Sequence, residues 1–170
     1  MSQLKKIIVS NSIAFVSIFC LLFFQCQNPN SMNSSFRVHT LRLHPGEDVI
    51  TELKKFIKDN KIEAGFIVSS VGSLTHYTIR FANQEEGSQA AGHFEVVSLT
   101  GLLSTEGNHI HVSVSDSTGR TIGGHLLEGN LVYTTLEVVI GEDLDHIYKR
   151  EMDPTFGYKE LVVKKKNSKP

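Results

Sequence analysis

His109-Ile110-His111-Val112-Ser113-Val114-Ser115-Asp116, followed by Ser117-Thr118-Gly119 and then by Arg120-Thr121-Ile122-Gly123-Gly124-His125-Leu126, decides how this chain is read. The first segment alternates strictly, putting Ile110, Val112 and Val114 on one face of a strand and His109, His111, Ser113 and Ser115 on the other. Gly119 suits the left-handed position that closes a three-residue hairpin loop. That loop fixes a register: Asp116 faces Arg120, Val114 faces Ile122, Val112 faces Gly124, Ile110 faces Leu126 and His111 faces His125. Apolar then meets apolar on one side of the hairpin and histidine meets histidine on the other.

Directly opposed residues have Cβ atoms roughly 4.5 to 5.5 Å apart, and a diagonal neighbour such as His109 lies roughly 7 to 8 Å away. Three imidazoles can therefore converge on a divalent ion. Zinc is favoured, since three histidines with an open fourth position suit it; manganese, iron or nickel could use the same nitrogens. Surface histidines, or pairs bridged by water, are the plain alternative. Gly123 and Gly124 leave room for a ligand or a neighbouring backbone, or mark a bulge. Glu95 and Glu137 are the candidates for a second-shell group or proton carrier. A two-residue turn at Gly129-Asn130, however, would set His125 opposite Thr134 and turn Glu137 to the other face. His39, His44, His76 and His146 have no comparable pairing and are expected to be structural or exposed.

Outward from the hairpin, residues 36–43 alternate as a half-buried strand, and His44-Pro45-Gly46 ends it. Val49, Ile50, Leu53, Phe56 and Ile57 then recur at helical spacing, with Glu47 and Asp48 at the start and Lys54, Lys55 and Lys58 towards the end, as the helix dipole favours. The helix should stop near Asp59-Asn60. Further strands are expected over 65–71, 77–82, 94–103, 108–116, 120–127, 132–140 and 158–163, with an exposed loop over 83–92. One helix followed by strands with short connections indicates an α+β domain with a mainly antiparallel sheet, because parallel pairs need long crossovers.

The first 26 residues carry Lys5 and Lys6 ahead of the apolar run Ile13 to Phe24, the pattern of an export signal. Ser10-Asn11-Ser12 shortens the apolar stretch below the ~20 residues of a spanning helix. Cys26 follows the run and leads into a polar tract, 27–35, that reads as a tether. This arrangement resembles a bacterial lipoprotein signal with Cys26 as the acylated residue, although Phe23-Phe24-Gln25 lacks the usual small residues; simple secretion or an uncleaved anchor are the alternatives. Cys20 falls within the signal, so the domain at 36–163 has no cysteine for a disulfide or thiolate metal ligand. Residues 164–170 read as a basic, solvated tail. With 17 Lys and Arg against 18 Asp and Glu, the net charge of -1 supplies no basic field for nucleic acid.

The blocks at 109–116, Gly119, Gly123 to Leu126, Gly129 and 134–140, together with Gly92-His93-Phe94-Glu95-Val96-Val97-Ser98-Leu99-Thr100-Gly101, resemble the plant and prokaryote conserved (PPC) domain family. The resemblance covers about 36–163; members commonly carry Arg or a similar residue at the place of His93. It implies a compact, mainly antiparallel domain flanked by a helix, assembly into homotrimers, and a three-histidine metal site in prokaryotic members. Plant relatives add an AT-hook with an Arg-Gly-Arg core, and this chain has no such tripeptide, so DNA binding is not expected to transfer. The expectation is an exported, envelope-anchored module with a zinc site and an unspecified small-molecule ligand. A metal-dependent hydrolase is the alternative, since no motif specifies a reaction.

Overall fold

A computed structural model describes residues 35–167. The export signal, Cys26 and the tether as far as residue 34 lie outside the described residues. Eight strands and one helix follow in the order β1 (Phe36–Leu43), α1 (Val49–Asp59), β2 (Gly65–Arg80), β3 (Ser88–Ser104), β4 (Gly107–Ser115), β5 (Thr121–Leu126), β6 (Leu131–Asp143), β7 (His146–Met152) and β8 (Lys159–Lys165). Six of them form one sheet in the order β1-β6-β2-β3-β4-β5, antiparallel throughout, while β7 and β8 form a separate hairpin. This is the α+β class expected of one helix followed by short connections.

Helix α1 forms where the periodicity placed it. Asp48 caps it by accepting from the Thr51 backbone N–H at 2.9 Å, Glu52 and Lys58 sit at the ends that suit the dipole, and Asn60 closes it. Its stripe of Val49, Ile50, Leu53 and Ile57 is buried, in one cluster with Leu43, Leu74, Ile79, Leu103, Ile110, Leu136 and Ile140. The apolar face of the hairpin, Ile110, Val112 and Val114, joins the same core.

Three features depart from the sequence reading. The two strands expected over 65–71 and 77–82 are one 16-residue strand, kept continuous by register shifts against its neighbours near Gly72 to His76. Only the first part of the loop expected over 83–92 is loop, since β3 already begins at Ser88. Residues 146–152 pair with 159–165; the expected tail thus begins inside a strand, where Lys164 bonds Glu151 at 2.6 Å, and Lys166 reaches Glu63 at 3.0 Å.

The largest consequence for the site is that β5 and β6 are not neighbours. Strand β2 lies beside both along the edge opposite β3: β6 runs along it as far as His76–Leu131, and β5 continues on the same edge with Ile79 paired to Leu126 and Arg80 to His125. The expected facing of His125 and Thr134 does not occur. Instead, Asn130 is fully buried and its carboxamide takes the place of a strand backbone: it accepts from Thr78 N at 3.2 Å and donates to Thr78 O at 3.2 Å and to Leu127 O at 2.6 Å. Asp48 accepts from the Gly129 and Asn130 N–H groups at 2.7 and 2.9 Å, so one side chain ties the helix start to this junction.

Candidate metal centre

The hairpin adopts the register that its alternation dictates. Val114 faces Ile122, Val112 faces Gly124 and His111 faces His125, and Gly119 turns the chain at φ +83°. Because β5 also pairs with β2, and β4 with β3, one row of partners runs across four strands as Arg80, His125, His111 and Thr100. Gly124 makes this row achievable. A Cβ built there would lie 2.5 Å from the Arg80 carbonyl oxygen, closer than real atoms approach, so the bare position is filled by the backbone of β2 and not by a ligand.

His109, His111 and His125 each offer a ring nitrogen, and those nitrogens all lie within 4.8 Å of one another. The Nε2 atoms of His109 and His111 are 3.2 Å apart, while the ring centroids stand at 5.0, 5.1 and 5.7 Å. Zinc with nitrogen bonds of about 2.0–2.1 Å in a tetrahedron requires nitrogens about 3.3 Å apart. One edge of the triangle already has about that length, and the other two are no longer than 4.8 Å. His125 supplies a further indication of fit: its Nδ1 is buried and has no hydrogen-bond partner. Such an orphan costs about 1–3 kcal/mol, a cost that coordination would remove.

Electrostatics favours the neutral ligand form. Burial pushes the His125 imidazole down to about 4, with the positive charges of His109, Arg80 and His111 adding to the shift. His109 is also lowered from its usual 6.5, first by burial and then by His111 and Arg150. Both rings therefore stay unprotonated near neutral pH, as a metal ligand must.

The two carboxylates singled out from sequence lie elsewhere. Glu95 is exposed and pairs with Ser115, four residues along β4 from His111, roughly 13 Å at the rise of a strand. Glu137 is exposed on β6, between Arg42 and Val71. Neither belongs to the ligand cluster among the described residues. The four histidines expected to be structural or exposed are so: His39 bonds the buried Glu142 at 3.0 Å, His146 bonds Asp143 at 2.8 Å, His76 bonds Thr75 at 3.0 Å, and His44 is exposed.

A cavity of about 910 Å³ opens beside His109 and His125, with Arg80, Arg150 and Glu160 among the residues lining it. Sequence reasoning missed this wall because Arg80 ends a strand read as two and because the strand that carries Arg150, and its pairing with the expected strand of Glu160, have no local signal. The only prior sign was the basic and acidic mixture of 149–160.

A model of the Plants and Prokaryotes Conserved (PCC) domain matches residues 30–143. The bifunctional protein GlmU of Synechococcus sp. (strain JA-3-3Ab) is 44% identical over 131 residues, 77% of this chain and 21% of that protein. The chain thus spans about a fifth of the length of the curated GlmU relatives it matches. A solved structure of a hypothetical protein from Salmonella is 41% identical, with a TM-score of 0.77 over 78% of this chain and 96% of that one. A metal-containing protein from Archaeoglobus fulgidus is 25% identical, with a TM-score of 0.65 over 76% of this chain and 95% of that one.

Proposed function

This chain belongs to the Plants and Prokaryotes Conserved domain family, and from that premise we propose that it is an exported, lipid-anchored, trimeric module holding zinc through His109, His111 and His125. The convergence of three ring nitrogens within 4.8 Å carries the reading, and the orphaned His125 Nδ1 supports it. When bound to three imidazoles, zinc supplies a Lewis acid with one open position. The chain's own contribution is to hold the three rings together on two paired strands, with His109 and His125 shifted toward the neutral form by burial. That one relative of this fold is a metal-containing protein agrees with the assignment.

Anchoring rests on the sequence of the first 26 residues and on Cys26. Trimer formation rests on the family resemblance and on the apolar side chains Val68, Val71, Val97 and Tyr133, which stand exposed on β2, β3 and β6. DNA binding draws no support from a chain with net charge -1 and no Arg-Gly-Arg tripeptide.

Metal analysis of purified protein beside His111→Ala and His125→Ala tests the centre. One ion per chain is expected in the parent and loss of it in both variants; equal content in all three would overturn the assignment. Labelling with palmitate in the parent and in Cys26→Ser tests the anchor, and equal labelling would refute it.

A second reading is metal-dependent hydrolysis of an ester or amide, favoured by the cavity that opens on two of the three histidines. Glu85 and Glu160 line that cavity and are better placed to carry a proton than Glu95 or Glu137. Screening with and without a chelator separates a module from an enzyme.

A further inference from the structure

Two arginines face the same cavity without an acidic partner. Arg80 is half-buried at the end of β2 and neighbours His125 in the cross-strand row. Its Nη1 donates to the Gln84 carbonyl at 3.3 Å. Arg150, also half-buried, comes from β7 and packs over the turn before His109: a Cβ at Gly107 would lie 3.5 Å from Arg150 Cγ. Lys159 lines the cavity from β8. Among the described residues, none of these three cations has a carboxylate oxygen within the 4.0 Å of an ion pair. Glu106, on the same wall, is taken by Lys149 at 2.6 Å.

A half-buried guanidinium that forms no ion pair is free to take up an anion, and its planar fork matches the paired oxygens of a carboxylate or phosphate. Arg150 and Lys159, moreover, lie beyond residues 30–143, where the family match ends. The imidazoles thus come from the segment that the family model matches and one arm of the cation pair from a hairpin beyond it. We propose that Arg80 and Arg150 clamp the anionic group of a small polar molecule, a carboxylate or a phosphate monoester, in the cavity beside the three histidines. This deepens the metal reading by naming the ligand class, and rests on it for the placement of the anion beside an ion. A volume of about 910 Å³ accommodates a small organic molecule behind that anionic head.

The test is calorimetric titration of the full chain, zinc-loaded and zinc-free, with inorganic phosphate, phenyl phosphate and citrate. Each is repeated on Arg80→Gln, Arg150→Gln and the double variant, with zinc affinity measured separately by chelator competition. The expected result is saturable binding of at least one of these anions, weakened at least about tenfold in each single variant, with zinc affinity within about twofold of the parent. Loss in Arg150→Gln alone would carry the proposal should Arg80→Gln fold poorly, since that residue lies on the separate hairpin. Equal affinity in parent and variants, or no saturable binding of any of the three anions to the parent, would overturn it. Should the chain bind no zinc, the metal reading fails by itself. The zinc-free titrations then decide the clamp by the same criterion: binding that the variants lose supports it, and none refutes it.

Discussion

Replacing Asn130 by alanine should remove about 3 kcal/mol of stability, and the sum can be worked from its contacts. The carboxamide is fully buried and makes three hydrogen bonds, to Thr78 N, Thr78 O and Leu127 O. A buried hydrogen bond contributes about 1 kcal/mol net, and a buried group left without a partner costs about 1–3 kcal/mol. Thr78 O keeps the Leu127 N–H at 3.1 Å. The Thr78 N–H and the Leu127 carbonyl lose their bonds to the carboxamide, which brings the expected loss to about 3–4 kcal/mol. In a domain of this size that lowers the melting temperature by about 10 °C. Urea unfolding of the metal-free protein measures it without the stabilisation that a bound ion would add. Asn130→Asp sharpens the test: it keeps an acceptor for Thr78 N but turns an oxygen towards two carbonyl oxygens, so it should destabilise at least as much as alanine. A loss below about 1 kcal/mol in Asn130→Ala would refute the claim that this side chain stands in for a strand partner.

Gly124→Ala should destabilise by about 2–4 kcal/mol and weaken metal binding, because its Cβ would meet the Arg80 carbonyl oxygen at 2.5 Å and push β5 off β2; denaturation with metal analysis checks both. The depressed His125, at about 4, should keep metal bound as pH falls. At pH 5 an ordinary imidazole loses about 30-fold in affinity to protonation. His125 should lose little, a difference trimmed to about tenfold by solvent at a partly exposed ring; chelator competition at pH 5 and 7 reads it. In metal-free protein the sign is reversed in consequence. The unfolded chain takes up a proton at this residue below about 6.5 and the folded chain only near 4, so stability is full above about 6.5 and declines as pH falls through that window, as urea midpoints would report. Val71→Glu places a charge on an exposed apolar position of β2 and should dissociate a trimer to monomers in sedimentation; an unchanged mass would remove this surface from the assembly.

The hairpin was legible because two independent signals, alternation and a turn glycine, fix the same register, and Val114–Ile122 through His111–His125 follow from it. The helix was legible for the same reason: its stripe and its caps agree. What pattern could not reveal is which strands neighbour one another across the sheet. Short spacing between 126 and 131 suggests a tight hairpin, yet the two strands follow one another along one edge of β2 and the buried Asn130 supplies the bonds to Thr78 that the break between them leaves open. Polar loops look alike in sequence whether they reverse a chain or carry it past a neighbour. Arg80 and Arg150 escaped because a wall assembled from β2 and a separate hairpin has no local signature.

His125 is stitched by its main chain to strands on both flanks, His111 on one side and Arg80 on the other. Its α-carbon cannot be withdrawn without unzipping both seams, so any adjustment of the ring to an ion would fall to torsions about χ1 and χ2. The backbone of β4 and β5 should accordingly follow the same path with and without an ion, whatever stability a bound ion adds. A centre mounted in this way would take up an ion with little change to the strands that carry it.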